Sequence, residues 1–145
     1  MQNQVYCLKT EDIELKIIVK DYNIEESKQG NKYNTVLFVA VNSYGFCGNS
    51  TWIVDYNDLV CFANKLKQMF DNLCGQIQIQ DRDLGSIINV QCDETGNFIF
   101  DGQIVSDTFQ KLIFEFKLDQ TYMKKFIYEM YIDFGGNKGS TILSK

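Results

Sequence analysis

One stretch, LIFEFKLDQTYMKKF at residues 112–126, decides the fold because its hydrophobic period changes in the middle. Before Asp119 apolar and polar residues alternate, which is typical of a strand buried on one face. After Asp119 the apolar residues recur three or four positions apart, which is typical of one stripe of a helix. The alternating residues are Leu112, Phe114, Phe116 and Leu118, and the helical ones are Tyr122, Met123, Phe126, Ile127, Met130 and Tyr131. The stretch therefore predicts a strand that leads through one aspartate into a helix over about residues 119–134, packed against its own sheet.

The same arrangement occurs earlier in the chain, where a strand ending at Val54 meets Asp55. Asp55 is a favourable helix N-cap, and Val54 and Leu59 are spaced as a hydrophobic staple. An apolar stripe continues to Leu73, and Gly75 stands where a left-handed residue would end the helix. These signals predict a first helix over about residues 55–74.

Alternating or continuous apolar segments predict the remaining strands. They lie at Glu11–Lys20, Tyr33–Tyr44, Ser50–Val54, Gln76–Gln80, Ser86–Cys92 and Asn97–Val105. The polar segment Asp21–Lys32 is expected to be a mobile connection, and Gly96 to take the left-handed position of a hairpin turn. The sequence thus predicts an α+β fold, in which two helices pack against one curved, mostly antiparallel β-sheet. No linker rich in Gly or Ser divides the chain, so we expect residues 1–145 to form a single domain.

The composition narrows the possible functions. The chain of 145 residues has no histidine, a single arginine (Arg82) and a formal net charge of −5. Without histidine it lacks the commonest general base and metal ligand, and an acidic chain with one arginine is poorly suited to binding nucleic acid. No apolar run of about 18 residues could span a bilayer, and no basic start followed by an apolar stretch marks a signal peptide. We therefore expect a cytoplasmic protein that contacts no membrane.

Five cysteines are spread along the chain without a C-x-x-C pair. An odd number at irregular spacing indicates neither a disulfide framework nor a zinc site. We therefore expect no metal and no cofactor, and each cysteine is expected to be a small buried hydrophobic residue. The five are Cys7, Cys47, Cys61, Cys74 and Cys92.

Paired carboxylates could still catalyse glycoside hydrolysis without histidine. The candidate pairs are Asp55/Asp58, Asp81/Asp83, Asp93/Glu94 and Glu115/Asp119. Helix caps and turns account for most of these residues, and Glu115 stands near Lys117 on the polar face of its strand, as in a solvated ion pair. We therefore expect no catalytic residues and no enzymatic activity.

Acidic residues are concentrated between Gln76 and Gln110, where six of them accompany Arg82 alone. They are Asp81, Asp83, Asp93, Glu94, Asp101 and Asp107. Two readings are open at this point. The six could be ordinary turn residues, or they could form a docking patch for a basic protein, in which charge raises the association rate.

Three stretches together resemble the WapI-type immunity proteins of bacterial polymorphic and contact-dependent toxin systems. They are WIVDYNDLVCF (52–62), GNFIFDGQI (96–104) and LIFEFKLDQTY (112–122), and the resemblance covers about residues 50–132. It implies a cytoplasmic protein that binds the C-terminal domain of one cognate toxin, often a nuclease, and occludes its active site without chemistry. It supplies no catalytic residues, and we expect the free protein to be a monomer or weak dimer.

Two other functions remain open from the sequence. A small-ligand-binding or regulatory module would use the concave face of the sheet, and a large apolar cavity would favour it. An enzyme without histidine would need a closed cleft that holds two carboxylates about 5–10 Å apart.

Overall fold

A computed structural model of the protein describes residues 3–136. In chain order the elements are β1 (Gln4–Lys9), β2 (Ile13–Tyr22), α1 (Ile24–Lys28), β3 (Thr35–Ser43), β4 (Phe46–Val54), α2 (Tyr56–Asn72), β5 (Gly75–Gln80), β6 (Ile87–Cys92), β7 (Asn97–Val105), β8 (Lys111–Asp119), a 3₁₀ turn (Gln120–Tyr122) and α3 (Lys124–Phe134). Within residues 3–136 no helix is both long enough and apolar enough to cross a membrane.

The strands form two antiparallel four-stranded sheets, in each of which consecutive strands pair. Sheet A contains β1–β4, and sheet B contains β5–β8. The predicted α+β fold with antiparallel strands is confirmed, and its strands are divided between two sheets rather than forming one. The division falls at α2, because a helix of 17 residues, about 25 Å long, separates β4 from β5.

One buried core is shared by both sheets, α2 and α3. Along β2 and β3 buried and half-buried residues alternate, because successive side chains of a strand point to opposite faces. Fully buried large aromatic side chains fill the space between the layers. They include Trp52, Phe62, Phe98, Phe100, Phe126 and Phe134.

The two sheets are joined along β4. A Cβ atom on Gly48 of β4 would lie 2.9 Å from the Leu112 Cβ of β8, so the glycine permits close packing of the two strands. Ile53 of β4 also bonds to the loop that follows β5. Its carbonyl accepts a hydrogen bond from the Arg82 N–H (2.9 Å), and its N–H donates to the Asp81 carboxylate (2.8 Å).

Helix α2 begins at the predicted residue and ends earlier than predicted. Asp55 is the N-cap and accepts a hydrogen bond from the Asn57 N–H at 3.2 Å. The predicted cap at Gly75 is wrong, since Leu73 adopts the left-handed conformation (φ 53°) and its N–H donates to the Met69 carbonyl. Gly75 is instead the first residue of β5, opposite Cys92 in the ladder. The helix must therefore stop before the hairpin of sheet B begins.

The segment Asp21–Lys32, predicted to be a mobile connection, contains α1. The Asn23 side chain caps this helix by accepting a hydrogen bond from the Glu26 N–H at 3.0 Å. The Ser27 hydroxyl then donates to the buried Asp55 carboxylate at 2.5 Å. The prediction of a mobile connection was therefore wrong. The sequence contains no local sign of this ordered segment, because the contact that fixes it joins Ser27 to Asp55, 28 positions further along the chain.

The final helix also begins later than predicted. Asp119 accepts a hydrogen bond from the Thr121 N–H (2.9 Å) and caps the 3₁₀ turn, so α3 itself starts at Lys124. The Gln120 N–H donates to the Gly96 carbonyl at 3.0 Å, which holds this first turn against the β6–β7 hairpin. Gly96 has a φ of 86°, as predicted for the left-handed position of that hairpin.

The expected burial of the cysteines is correct for Cys92 and wrong for three others. Cys47, Cys61 and Cys74 are exposed, and Cys7 is half-buried. Cys47 lies on the side of β4 opposite to the buried Ser50, Trp52 and Val54, so strand alternation turns it toward solvent.

Candidate functional site

The structure separates the six acidic residues of the predicted docking patch. Ile87 is opposite Gln103 in the β6–β7 ladder, so the β5–β6 and β7–β8 loops lie at the same end of sheet B. The β6–β7 turn lies at the other end, and the nine residues of β7 make the two ends roughly 30 Å apart. The first end carries Asp81, Asp83 and Asp107, the second carries Asp93 and Glu94, and Asp101 lies in the middle of β7.

Asp81 is a structural residue. It is only 2% exposed, and its carboxylate accepts three backbone N–H hydrogen bonds. The donors are Ile53 (2.8 Å), Leu84 (2.7 Å) and Asp83 (3.2 Å). Because the carboxylate is enclosed and occupied, Asp81 does not belong to a docking surface.

Four other acidic residues lie at the two ends of sheet B. One of them, Asp93, stabilises a turn, and the other three are exposed. Asp93 accepts hydrogen bonds from the Thr95 hydroxyl (2.6 Å) and from the Thr95 and Asn97 N–H groups (3.0 Å each). These hydrogen bonds hold the pKa of Asp93 below its ordinary value, and the one from the Thr95 hydroxyl has the largest effect. Asp83, Glu94 and Asp107 are exposed.

Asp101 belongs to a larger surface that we call the outer face of sheet B. It consists of the strand residues that point away from the core. They are Gln76, Gln78, Gln80, Ile87, Asn89, Gln91, Ile99, Asp101, Gln103, Ile113, Glu115 and Lys117. Six of these twelve residues carry amides, which provide both hydrogen-bond donors and acceptors. The middle row across the four strands is Gln78, Asn89, Asp101 and Glu115.

Two carboxylates stand side by side in that middle row. Asp101 of β7 is directly opposite Glu115 of β8, a position in which Cβ atoms lie about 4.5–5.5 Å apart and like charges repel. The Asn89 amide donates to Asp101 at 2.9 Å. Neither carboxylate takes part in an ion pair with another residue in the range 3–136.

The expected ion pair between Glu115 and Lys117 is not formed. Lys117 is opposite Ile99 in the next row of the ladder. None of the ion pairs within residues 3–136 joins Lys117 to Glu115. Glu115 therefore faces Asp101 without an ion pair, although Lys117 lies on the same face in the next row.

Exposed apolar side chains flank the carboxylate row on one side. Ile113 of β8, in the adjacent row, is 77% exposed. Phe109 in the β7–β8 loop is 73% exposed and has a φ of 65°, which is strained for an aromatic residue. Ile113 and Phe109 thus present apolar area at the Asp107 end of the sheet.

Surface depressions lie on sheet B and beside it. One of about 470 Å³ on the outer face is lined by Gln76–Gln78, Asn89–Gln91 and Asp101. Another, of about 550 Å³, is bounded by α2 and β5 and includes the ion pair of Arg82 with Asp58 at 3.0 Å. Both are open to solvent, and their linings are largely polar.

No family model matches this chain. A comparison with curated proteins also finds no match.

The geometry offers little for catalysis or metal binding in the described part of the chain. Asp55 is enclosed at the N-cap of α2, and Asp58 pairs with Arg82. Within residues 3–136 no group of three or more Cys, Asp or Glu side chains could hold a metal ion. The prominent chemical feature is therefore the carboxylate pair in an amide-rich surface.

Sequence reasoning identified Asp101 but not the surface around it. The alternation of Gln76, Gln78 and Gln80 indicates that amides share one face of β5. The position of Glu115 opposite Asp101 depends on the β7–β8 register, which the sequence of either strand alone does not specify.

Proposed function

We propose that this protein is a cytoplasmic immunity protein that binds and neutralises the C-terminal domain of one cognate toxin. The resemblance of residues 50–132 to WapI-type immunity proteins motivates the proposal. The single structural observation that carries it is the exposed negative charge of sheet B. Asp83, Asp93, Glu94, Asp101 and Asp107 are all at least partly accessible.

A nuclease-type toxin fits this charge. A nuclease binds phosphates through clustered Lys and Arg side chains, so its substrate site attracts an acidic protein surface. Complementary charge speeds the encounter, and closely packed apolar groups then slow dissociation. Inhibition would follow from occlusion of the toxin's active site and needs no reaction on the immunity protein.

The alternative of a small-ligand-binding or regulatory module has less support. Such a module would use the concave face of the sheet and a large apolar cavity, whereas the shared core is filled by fully buried side chains such as Trp52, Phe98 and Phe100. The open polar depressions on the surface are poor substitutes, because a ligand there would remain largely in contact with water.

Co-expression of the chain with the toxin encoded beside it tests the proposal. Cells that produce the toxin domain should grow when they also produce this protein, and should die with an empty vector or a non-cognate immunity protein. The association rate of the two purified proteins should fall as the salt concentration rises. Cell death in the presence of the folded chain would contradict the proposal.

A further inference from the structure

We propose that the outer face of sheet B is the docking surface for a basic protein, and that Asp101 and Glu115 together receive one arginine side chain from it. The inference rests on the proposed function in that the natural partner would be the toxin domain.

The carboxylate pair favours a cation. Asp101 and Glu115 are directly opposite each other on adjacent strands, where two negative charges destabilise the ladder. The one hydrogen bond given to the pair by a side chain in residues 3–136 is that of the Asn89 amide. A cation placed between the two carboxylates would remove their repulsion, so binding would be favoured by more than a single ion pair.

The amides around the pair favour arginine over lysine. A guanidinium group has five N–H donors in one plane and can bond two carboxylates and a neighbouring amide oxygen at once. Gln78 lies in the same row, and Gln91 and Gln103 lie in the rows on either side. These amide side chains can adapt their orientation to the arginine and to the polar groups beside it.

Apolar contacts complete the surface. Ile113 is highly exposed next to the carboxylate row, and Ile87 and Ile99 are partly exposed in the adjacent rows. Interfaces combine such apolar area with a polar rim. Phe109, an exposed aromatic side chain in the loop at the end of the face, would add area of the kind that anchors interfaces.

The outer face of sheet A is less suitable for the same partner. There the lysines Lys9, Lys16 and Lys20 outnumber the acids Glu14 and Asp21, and the Lys20 ammonium lies 5.9 Å from the centre of the Phe38 ring. A net positive charge disfavours a basic partner, whereas on the outer face of sheet B the one lysine, Lys117, is outnumbered by Asp101 and Glu115. Negative charge on sheet B likewise disfavours nucleic acid, since phosphates would meet carboxylates.

The first test uses a nona-arginine peptide as probe and the ¹⁵N-labelled full chain. At low salt, peptide addition should shift amide resonances of β6, β7 and β8 around Asn89, Asp101 and Glu115. The double variant Asp101→Asn/Glu115→Gln should weaken peptide binding about tenfold. Glu94→Gln, which removes one exposed charge from the far turn, should change it much less.

A stability measurement keeps the test free of folding artefacts. Because the variant removes like-charge repulsion, the free double variant should unfold at the same temperature as the natural chain or at a higher one. Resonance shifts centred on the Asp93–Gly96 turn, or equal weakening by Glu94→Gln, would overturn the assignment of this face.

The second test separates this inference from the proposed function. If the double variant binds the toxin domain as tightly as the natural chain does, the face is wrong and the immunity function stands. If the peptide binds at Asp101 and Glu115 but the toxin domain does not bind the chain, the immunity function is wrong and the face remains a surface for basic proteins.

Discussion

Asp81 ties the loop after β5 to the last strand of sheet A. Its buried carboxylate accepts hydrogen bonds from the N–H groups of Ile53, Asp83 and Leu84. Replacing it by alanine would leave these three N–H donors without their acceptor. The loss of stability is larger than for a neutral acceptor, because hydrogen bonds to a charged group contribute more to stability. We expect Asp81→Ala to lower the free energy of unfolding by about 2–4 kcal/mol, measured by urea denaturation.

Asp83 provides a matched control two residues away. Its side chain is exposed, and its backbone N–H, which donates to Asp81, is retained when the side chain is shortened. Asp83→Ala should therefore change the free energy of unfolding by no more than about 0.5 kcal/mol. Equal losses for the two variants would show that Asp81 does not have the structural role described.

Residue roles were predictable where their partners are close in the chain. Asp55 follows a strand and precedes an apolar stripe, so its capping role could be inferred from neighbouring residues. Asp81 also looked like a turn residue, but its burial depends on Ile53, which is 28 positions away. The sequence contains no local signal of that contact, so Asp81 was wrongly grouped with the exposed acids.

At the scale of elements, Asp55 joins three parts of the fold at the start of α2. Its carboxylate accepts hydrogen bonds from Ser27 of α1, from the Asn34 amide (3.0 Å) and from the Asn57 N–H. Burial raises the pKa of Asp55, but the hydrogen bonds from Asn34, Ser27 and Asn57 outweigh it and leave the pKa below its ordinary value. The ionised carboxylate therefore stabilises the junction of these elements.

The lowered pKa predicts the direction of the pH dependence. The ionised Asp55 carboxylate contributes to the free energy of unfolding in full above about pH 4, the ordinary pKa of an aspartate in the unfolded chain. This contribution is lost as the pH falls through the lower pKa that Asp55 has in the folded state. We expect the free energy of unfolding to fall more steeply from about pH 4 to about pH 2 for the natural chain than for Asp55→Asn. Urea denaturation at each pH measures this difference.

A second charge-removing variant shows whether the effect is specific to Asp55. Asp107 is exposed in the β7–β8 loop, so Asp107→Asn should keep the steep acid dependence of the natural chain. Asp93 also has a lowered pKa, and its contribution is common to all three proteins. Parallel curves for the natural chain and Asp55→Asn would contradict the prediction.

The elements themselves were predictable to different extents. The apolar stripe and N-cap located α2 well, because both signals lie within the helix and its first turn. The division into two sheets was not foreseen, since Gln76–Gln80 reads as a strand whichever sheet it joins. Pairing partners are chosen by contacts between distant residues, and hydrophobic alternation specifies only the buried face of a strand.

At the scale of the whole molecule, the shared core makes the two sheets dependent on each other. Residues of both sheets, α2 and α3 belong to one buried cluster. Within sheet B Phe100 stacks on Phe116 with ring centroids 5.0 Å apart, and both belong to the same buried cluster as Trp52 of sheet A. This arrangement supports the expectation of a single domain and of cooperative, two-state unfolding.

The single tryptophan makes that cooperativity measurable. Trp52 fluorescence reports on sheet A, whereas far-UV circular dichroism reports on the secondary structure of the whole chain. Phe100→Leu, in sheet B, should lower the free energy of unfolding by about 1–2 kcal/mol and should shift both signals to the same lower urea midpoint. Ile17→Val in sheet A should likewise shift both together. If Phe100→Leu moved the circular dichroism transition but left that of Trp52 in place, the sheets would unfold separately, and the chain would not be one cooperative domain.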